Sequence, residues 1–335
     1  MMTEKKVTVA LVGMGGYGIY YVEEILNNSE KYGMTCVGMV DICPEKSKYI
    51  EEVNGQGISI YSSMEELFEK QVPELVFIST PIQFHCRQVC FALEHGSHVL
   101  CEKPAAATLE DAQKMLETAK VTGRFAAIGF QRCYNRAILS AKQDILSDRY
   151  GKPIKLKAIV GQQRNLAYYR RGWAGKLKVG EDYIYDSVAN NSAAHYLHNL
   201  LFFAGETLST AAFPETIEAE CYRGNEIENY DTITAKIRTT SGVELYFAAF
   251  QCGERHYKHY AEFLFENGSI VIEQDGSIVG RLNTGELKEY GNFNTDMGNK
   301  VQCAVRAVRG EDTIYCDVNT ALPHAYAIQY IQDHV

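Results

Sequence analysis

The chain has 335 residues, 33 Lys+Arg against 42 Asp+Glu, and a formal net charge of −9. With 46% hydrophobic and 22% charged residues, wholesale disorder is excluded, and the length fits about two domains of roughly 150 residues. The acidic balance, with no basic run, argues against nucleic acid as a partner. In chain order, Val7–Val12 reads as a short buried strand followed by glycines, 19–27 as a helix, and 35–40 as a second strand closed by Asp41. Pro44 suits the first position of a helix running to about Val53, and Ser62 or Ser63 caps a helix over 64–70. A strand over 75–79, a helix over 82–95, a strand over 98–101 and a helix from Thr108 to Gly123 continue the alternation. Strands and helices taking turns predict βαβ units and a parallel sheet.

The second half reads differently. Residues 153–164 are extended, 165–190 irregular and rich in Tyr and Arg, and 193–204 form an apolar helix stopped by Gly205. From about 213 strands dominate, with alternation over 231–238, a strand over 243–251, and Asn267-Gly268 and Asp275-Gly276 as hairpin turns. The segment 299–333 is helical with a break near Asp312. The expected fold is an α/β Rossmann domain over 1–125, then an α+β domain over 126–335 built on a large, mostly antiparallel open sheet.

The ten cysteines include no CxxC spacing, and several sit in apolar runs. Scattered thiols suit a reducing cytoplasm better than a disulfide framework. The start, with Glu4 and then Gly13 to Gly18, does not make a signal peptide, and no run reaches the ~18 apolar residues of a membrane span. A cytoplasmic protein with no membrane partner is expected.

Gly13-Met14-Gly15-Gly16-Tyr17-Gly18 is GxGxxG directly after a strand and opening a helix. The first glycine allows the tight turn, the second the approach of a pyrophosphate, and the third close helix–strand packing. Asp41, 23 residues after Gly18, stands where a carboxylate takes the ribose 2′-OH and repels a 2′-phosphate, so NAD is expected over NADP. Ser79-Thr80-Pro81 and Glu102-Lys103-Pro104 each follow a strand, and so project from the carboxyl edge of the sheet where ligands gather. His85, on the next helix, is a further candidate cofactor contact.

With Gly129-Phe130-Gln131-Arg132 and with His195 followed by Gly205, these motifs come in an order that resembles the Gfo/Idh/MocA family. That family holds glucose–fructose oxidoreductases, inositol dehydrogenases and related sugar dehydrogenases. The resemblance implies an oxidoreductase acting on CH–OH donors, with a carbohydrate or polyol as substrate. It implies that Lys103 activates the reacting hydroxyl, that Glu102 is a cofactor-side contact, that Arg132 lies near the nicotinamide end, and that His195 is the acid–base group. It also implies a homodimer or homotetramer formed through the C-terminal sheet.

The family pattern Asp-x-x-x-His is broken here, because Asn191 stands four residues before His195. An amide can orient an imidazole but offers it no charge, so His195 is expected to be a weaker base, unless Asp186 substitutes. Tyr168, Tyr169, Arg170, Arg171 and Trp173 occupy the region of the family's substrate loop, and Tyr169, Arg171 and Trp173 join Lys103, Asn191 and His195 as substrate candidates. His195 and His198 share a helix face, but no further ligand follows at helical spacing, so no metal is expected. Two other functions stay open: an NAD-dependent glycosidase working by transient oxidation, and a non-enzymatic NAD- or sugar-binding regulator.

Overall fold

The computed structural model describes residues 5–253, 257–296 and 298–335. Residues 1–4, including Glu4 of the signal-peptide argument, lie outside the described residues. In chain order the elements are β1 (Val7–Val12), α1 (Gly18–Tyr32), β2 (Met34–Val40), α2 (Ile50–Gly55), β3 (Ile60–Tyr61), α3 (Met64–Lys70), β4 (Leu75–Ile78), α4 (His85–Glu94), β5 (His98–Cys101), α5 (Leu109–Thr122) and β6 (Ala126–Ile128). There follow α6 (Arg136–Leu146), β7 (Pro153–Gly161), α7 (Leu166–Tyr169), β8 (Lys178–Val179), β9 (Asp182–Tyr183), α8 (Ala194–Phe203), β10 (Pro214–Tyr222), β11 (Thr232–Thr239), β12 (Glu244–Phe250), β13 (Tyr257–Phe265), β14 (Gly268–Ile272), β15 (Ser277–Leu282), β16 (Leu287–Asn292), α9 (Asn299–Val308) and α10 (Val318–Gln332).

The chain divides into two compact units: 1–106 with 110–129 and 298–318, and 107–109 with 130–297 and 319–335. The first unit holds a six-stranded parallel sheet in the order β3-β2-β1-β4-β5-β6. This is the doubly wound order of a dinucleotide-binding fold, whose ligand crevice lies beyond the carboxyl ends of the strands where the order reverses. Val9, Leu11, Leu75, Phe77 and Leu100 on the strands pack against Tyr21, Val22 and Ile25 of α1. Val301, Ala304 and Val305 of α9 join the same core, so a segment expected in the second domain completes the first unit. Ser63 caps α3 by accepting the Glu66 N–H, while the Glu66 carboxylate takes the Ser62 N–H and hydroxyl.

The single helix expected over 44–53 is a 3₁₀ turn at Pro44–Lys46, an extended Ser47, and then α2. Elements without a sequence expectation are present, among them the two-residue β3, the three-residue β6 and the helix α6, and the stretch read as irregular holds the short α7, β8 and β9.

The second unit is built on an eight-stranded mixed sheet, β10-β11-β12-β7-β13-β14-β15-β16. Every pairing is antiparallel except β12 with β7. Burial alternates along β11 and β12, as it does where one face is packed and the other open. On the packed side the rings of Phe203 in α8 and Phe263 in β13 lie 4.6 Å apart. None of the ten cysteines forms a disulfide. Among the described residues no helix is long and apolar enough to cross a membrane.

Candidate functional site

In the first unit the glycine-rich turn is forced by contact distances. A Cβ at Gly13, where φ is +91°, would sit 2.6 Å from the Ser79 carbonyl oxygen, and one at Gly18 would sit 2.1 Å from the Gly13 oxygen. Both neighbours are backbone and cannot yield, so these two positions exclude side chains. At Gly15 a Cβ would meet nothing within 4 Å; this is open space in front of the turn, and α1 begins directly behind it. Asp41, just past β2, binds the turn from the far side. Its Oδ2 accepts the Met14 N–H at 2.7 Å and its Oδ1 the Cys43 N–H at 2.8 Å. The turn, a helix N-terminus and a carboxylate at the end of β2 fit the pyrophosphate and ribose of a dinucleotide.

Ser79-Thr80-Pro81 closes the next side, in contact with Gly13 and with Thr80 Oγ1 bonded to Gln88 Oε1 at 2.5 Å. His85 differs from its sequence expectation. Its ring is buried, with Nδ1 at 2.9 Å from the Pro104 oxygen and Nε2 at 2.9 Å from the Thr80 oxygen. With both nitrogens against main-chain carbonyls, it ties the Ser-Thr-Pro turn to the Glu-Lys-Pro turn rather than facing a ligand. Burial pulls its pKa below the ordinary histidine value.

Glu102 is also more enclosed than a simple cofactor contact. Its Oε1 accepts the Tyr21 hydroxyl at 2.7 Å and pairs with Lys300 of α9, while its Oε2 takes the Lys103 N–H at 3.2 Å. Lys103 follows, half-buried, at the carboxyl end of β5, and its bond to Pro104 is cis. Neither Tyr21 nor Lys300 was a sequence candidate. A signal did exist for Lys300: it lies four residues before Ala304 on the buried stripe of α9.

In the second unit the irregular segment folds onto the start of α8. Asn191 sits in a π-helical turn, Val188–Ser192, that runs into α8 one turn before His195. Its amide nitrogen donates to Asp186 Oδ1 at 2.7 Å and to the Tyr168 hydroxyl at 3.3 Å. Asp186 Oδ2 in turn accepts the Gly175 N–H at 2.6 Å. The carboxylate missing at position 191 therefore stands one hydrogen bond away, at 186.

Tyr168 is the hub of the aromatic cluster. Trp173 meets it edge-on at 5.9 Å, and the guanidinium groups of Arg164 and Arg171 lie 4.8 and 5.2 Å from its ring centre. Burial and then the Asp186 charge push its phenol up to about 12, against the pull of the two arginines. Tyr169 donates to Gln251 Oε1 at 3.1 Å, and Gln251 Nε2 donates to Ser192 Oγ at 2.7 Å. Arg164 and Gln251 were not among the sequence candidates, and Tyr168 was placed only in the region of the substrate loop.

His195, on the first turn of α8, meets Phe130 edge-on at 5.7 Å, whereas His198 is buried and stacked on Phe130 at 3.9 Å. Arg132 is buried, its guanidinium 3.9 Å from the Tyr196 ring centre and 4.1 Å from that of Phe293. It thus grips the residue next to His195. Burial lowers the Arg132 pKa, and burial together with the Arg132 charge pulls neighbouring His259 down to about 3.

This unit-by-unit geometry is that of a Rossmann dinucleotide fold joined to an α+β unit with a polar, aromatic cluster. Residues 7–130 match the model of the Gfo/Idh/MocA family, described as an oxidoreductase family with an NAD-binding Rossmann fold.

The chain is 29% identical over 161 residues to the scyllo-inositol 2-dehydrogenase (NAD(+)) of Bacillus subtilis, a stretch that covers 48% of this chain and 46% of that protein. It is 24% identical over 273 residues to the inositol 2-dehydrogenase of Burkholderia cenocepacia, covering 81% of this chain and 75% of that one. Among solved structures, the WlbA dehydrogenase of Bordetella pertussis in complex with NADH and UDP-GlcNAcA superposes with a TM-score of 0.78 at 20% identity, over 98% of each chain. That last likeness is one of fold.

Proposed function

We propose that the protein is an NAD-dependent oxidoreductase that converts a hydroxyl of a sugar, polyol or sugar-derived acid to a carbonyl and back. The observation that carries this reading is the first unit's edge. There Asp41 is bonded to the glycine-rich turn on one side, and Lys103 follows β5 on the other.

Gly13, Gly15, Gly16, Tyr17 and Gly18 would line the pyrophosphate, Asp41 the adenosine ribose, and Ser79-Thr80-Pro81 with Glu102 and Lys103 the remaining length. Bound NAD supplies the acceptor for the hydrogen that leaves carbon with its electron pair. Lys103 donates a hydrogen bond to the reacting hydroxyl and favours its ionisation. His195 accepts the hydroxyl proton in oxidation and returns it in reduction. Asn191, backed by Asp186, orients the imidazole, and Arg132 acts on the same helix through Tyr196. Tyr169, Arg171 and Trp173 contact the substrate.

NAD is preferred to NADP because Asp41 would face a 2′-phosphate with like charge. The open face of the large sheet carries Ile159 and Leu264, 37% and 42% exposed, among ion pairs such as Lys236–Glu244 at 3.1 Å. We assign this face to a homodimer or homotetramer, and the protein to the cytoplasm.

The cofactor assignment is tested by thermal shift with NAD and NADP on the wild type and on Asp41→Ala. NAD should raise the melting temperature more than NADP in the wild type, and the variant should lose that difference. Equal shifts in the wild type reject it.

A further inference from the structure

Lys300, the second residue of α9, is fully buried, and its partner Glu102 nearly so. Three rings from the start of α1 surround the ammonium, with centres at 4.8 Å for Tyr17, 4.9 Å for Tyr21 and 5.5 Å for Tyr20. Room for the pair is made by Gly129, where a Cβ would lie 2.8 Å from Glu102 Oε1.

A buried ion pair is a poor way to stabilise a core. Apolar residues of the same volume serve as well or better, because desolvating two charges offsets their attraction. What distinguishes this pair is its place. Tyr17 belongs to the glycine-rich turn and is 44% exposed, so the ammonium holds the inner face of a residue whose outer face borders the open turn. Glu102 precedes Lys103 and holds its N–H.

We propose that Lys300 is a positioning residue for dinucleotide binding: it fixes the Tyr17 side of the glycine-rich turn and, through Glu102, the backbone of Lys103, in one arrangement. This rests on reading the first unit as an NAD site. An aliphatic residue at 300 would fill the core but let the two turns shift independently.

The groups facing Glu102 are Tyr17 and Tyr21 from α1, Cys101 from β5, His85 from α4 and Lys300 from α9. Lys300 is the cation paired with Glu102. Without it, the Glu102 carboxyl is buried with no cation opposite it, and a buried carboxylate that lacks a partner is costliest where it must be ionised.

The test is fluorescence titration of NADH at roughly pH 6, 7.5 and 9, on the wild type, on Lys300→Met and on Lys300→Met/Glu102→Gln. Lys300→Met should bind about tenfold more weakly near neutrality, with the deficit growing as pH rises. The double variant, which leaves no charge in the core, should lose the added pH dependence and still bind about threefold more weakly than the wild type. Binding by Lys300→Met within about twofold of the wild type at all three pH values overturns the proposal. If that variant does not fold, the double variant decides, and wild-type affinity in it overturns the proposal equally. A wild type that binds no NADH refutes the dinucleotide site itself, and this inference with it.

Discussion

An aspartate at position 191 should damage this protein. In Asn191→Asp, a carboxyl replaces the amide that donates to Asp186 Oδ1 at 2.7 Å, and Asp186 is 9% exposed. A hydrogen bond to a charged acceptor is lost, about 1.5–3 kcal/mol. Two carboxylates are brought together instead, a repulsion of about 4 kcal/mol at 4 Å for an effective dielectric of 20. The pair relieves most of this by keeping one proton between its oxygens, so its folded-state affinity for that proton exceeds the unfolded value. The folded state then binds more protons than the unfolded one at neutral pH, and stability falls as pH rises above the unfolded carboxylate value of about 4.

Thermal melts should therefore show the variant near the wild type at about pH 4.5 and roughly 2–4 kcal/mol less stable at pH 8, or about 5–10 °C. The exchanged pair Asp186→Asn/Asn191→Asp, with one carboxylate and one amide, should recover most of the loss. A single variant that melts like the wild type at pH 8, or an exchanged pair no better than the single variant, would refute the reasoning.

His259, held down to about 3 by burial and by Arg132, should contribute stability that is complete above the unfolded histidine value of about 6.5 and is lost as pH falls below it. Between those limits His259→Phe should melt with a shallower pH dependence than the wild type, and parallel curves would remove it from the acid response. Lys103→Ala should lower kcat by about 10²–10⁴ while leaving NADH affinity within a small factor, measured by steady-state rates beside NADH titration. Asp41→Ala should also destabilise the glycine-rich turn, because it removes the acceptors of both the Met14 and the Cys43 N–H; the melting temperature without cofactor reads this directly.

The parallel sheet and its ligand edge were legible because each strand of the first half is a short apolar run ending in turn residues. The glycine spacing also placed Asp41 correctly at the end of β2. What escaped was governed by buried lysines. Lys142 interrupts the apolar stripe of α6, yet its stem is fully buried, its ammonium bonds the Thr210 oxygen at 2.7 Å, and it lies 3.5 Å from the Phe202 ring centre. Lys300 does the same in α9. Residue type scores both as solvent-facing; their place on an apolar stripe hints at burial, and the tertiary partner shows what each lysine is paired with.

The membership of 298–318 in the first unit was illegible for a related reason. An amphipathic stripe shows that a helix packs, without showing on which core. β6 has three buried residues, too few to display any period. At the second unit's cluster, Asp186 could be suspected from the missing charge at 191. Tyr168 as its hub depends on how the irregular segment folds back, which no local pattern encodes.

We propose that this chain oxidises a carbohydrate hydroxyl with NAD, using Lys103. This activity is tested most directly by following NADH absorbance with the wild type and Lys103→Ala over a panel of sugars, polyols and sugar acids, with aryl glycosides included. NADH that accumulates in proportion to one of these substrates, and is lost in the variant, is the predicted result. Cleavage of an aryl glycoside without net NADH, or NADH formation that survives Lys103→Ala unchanged, would contradict it.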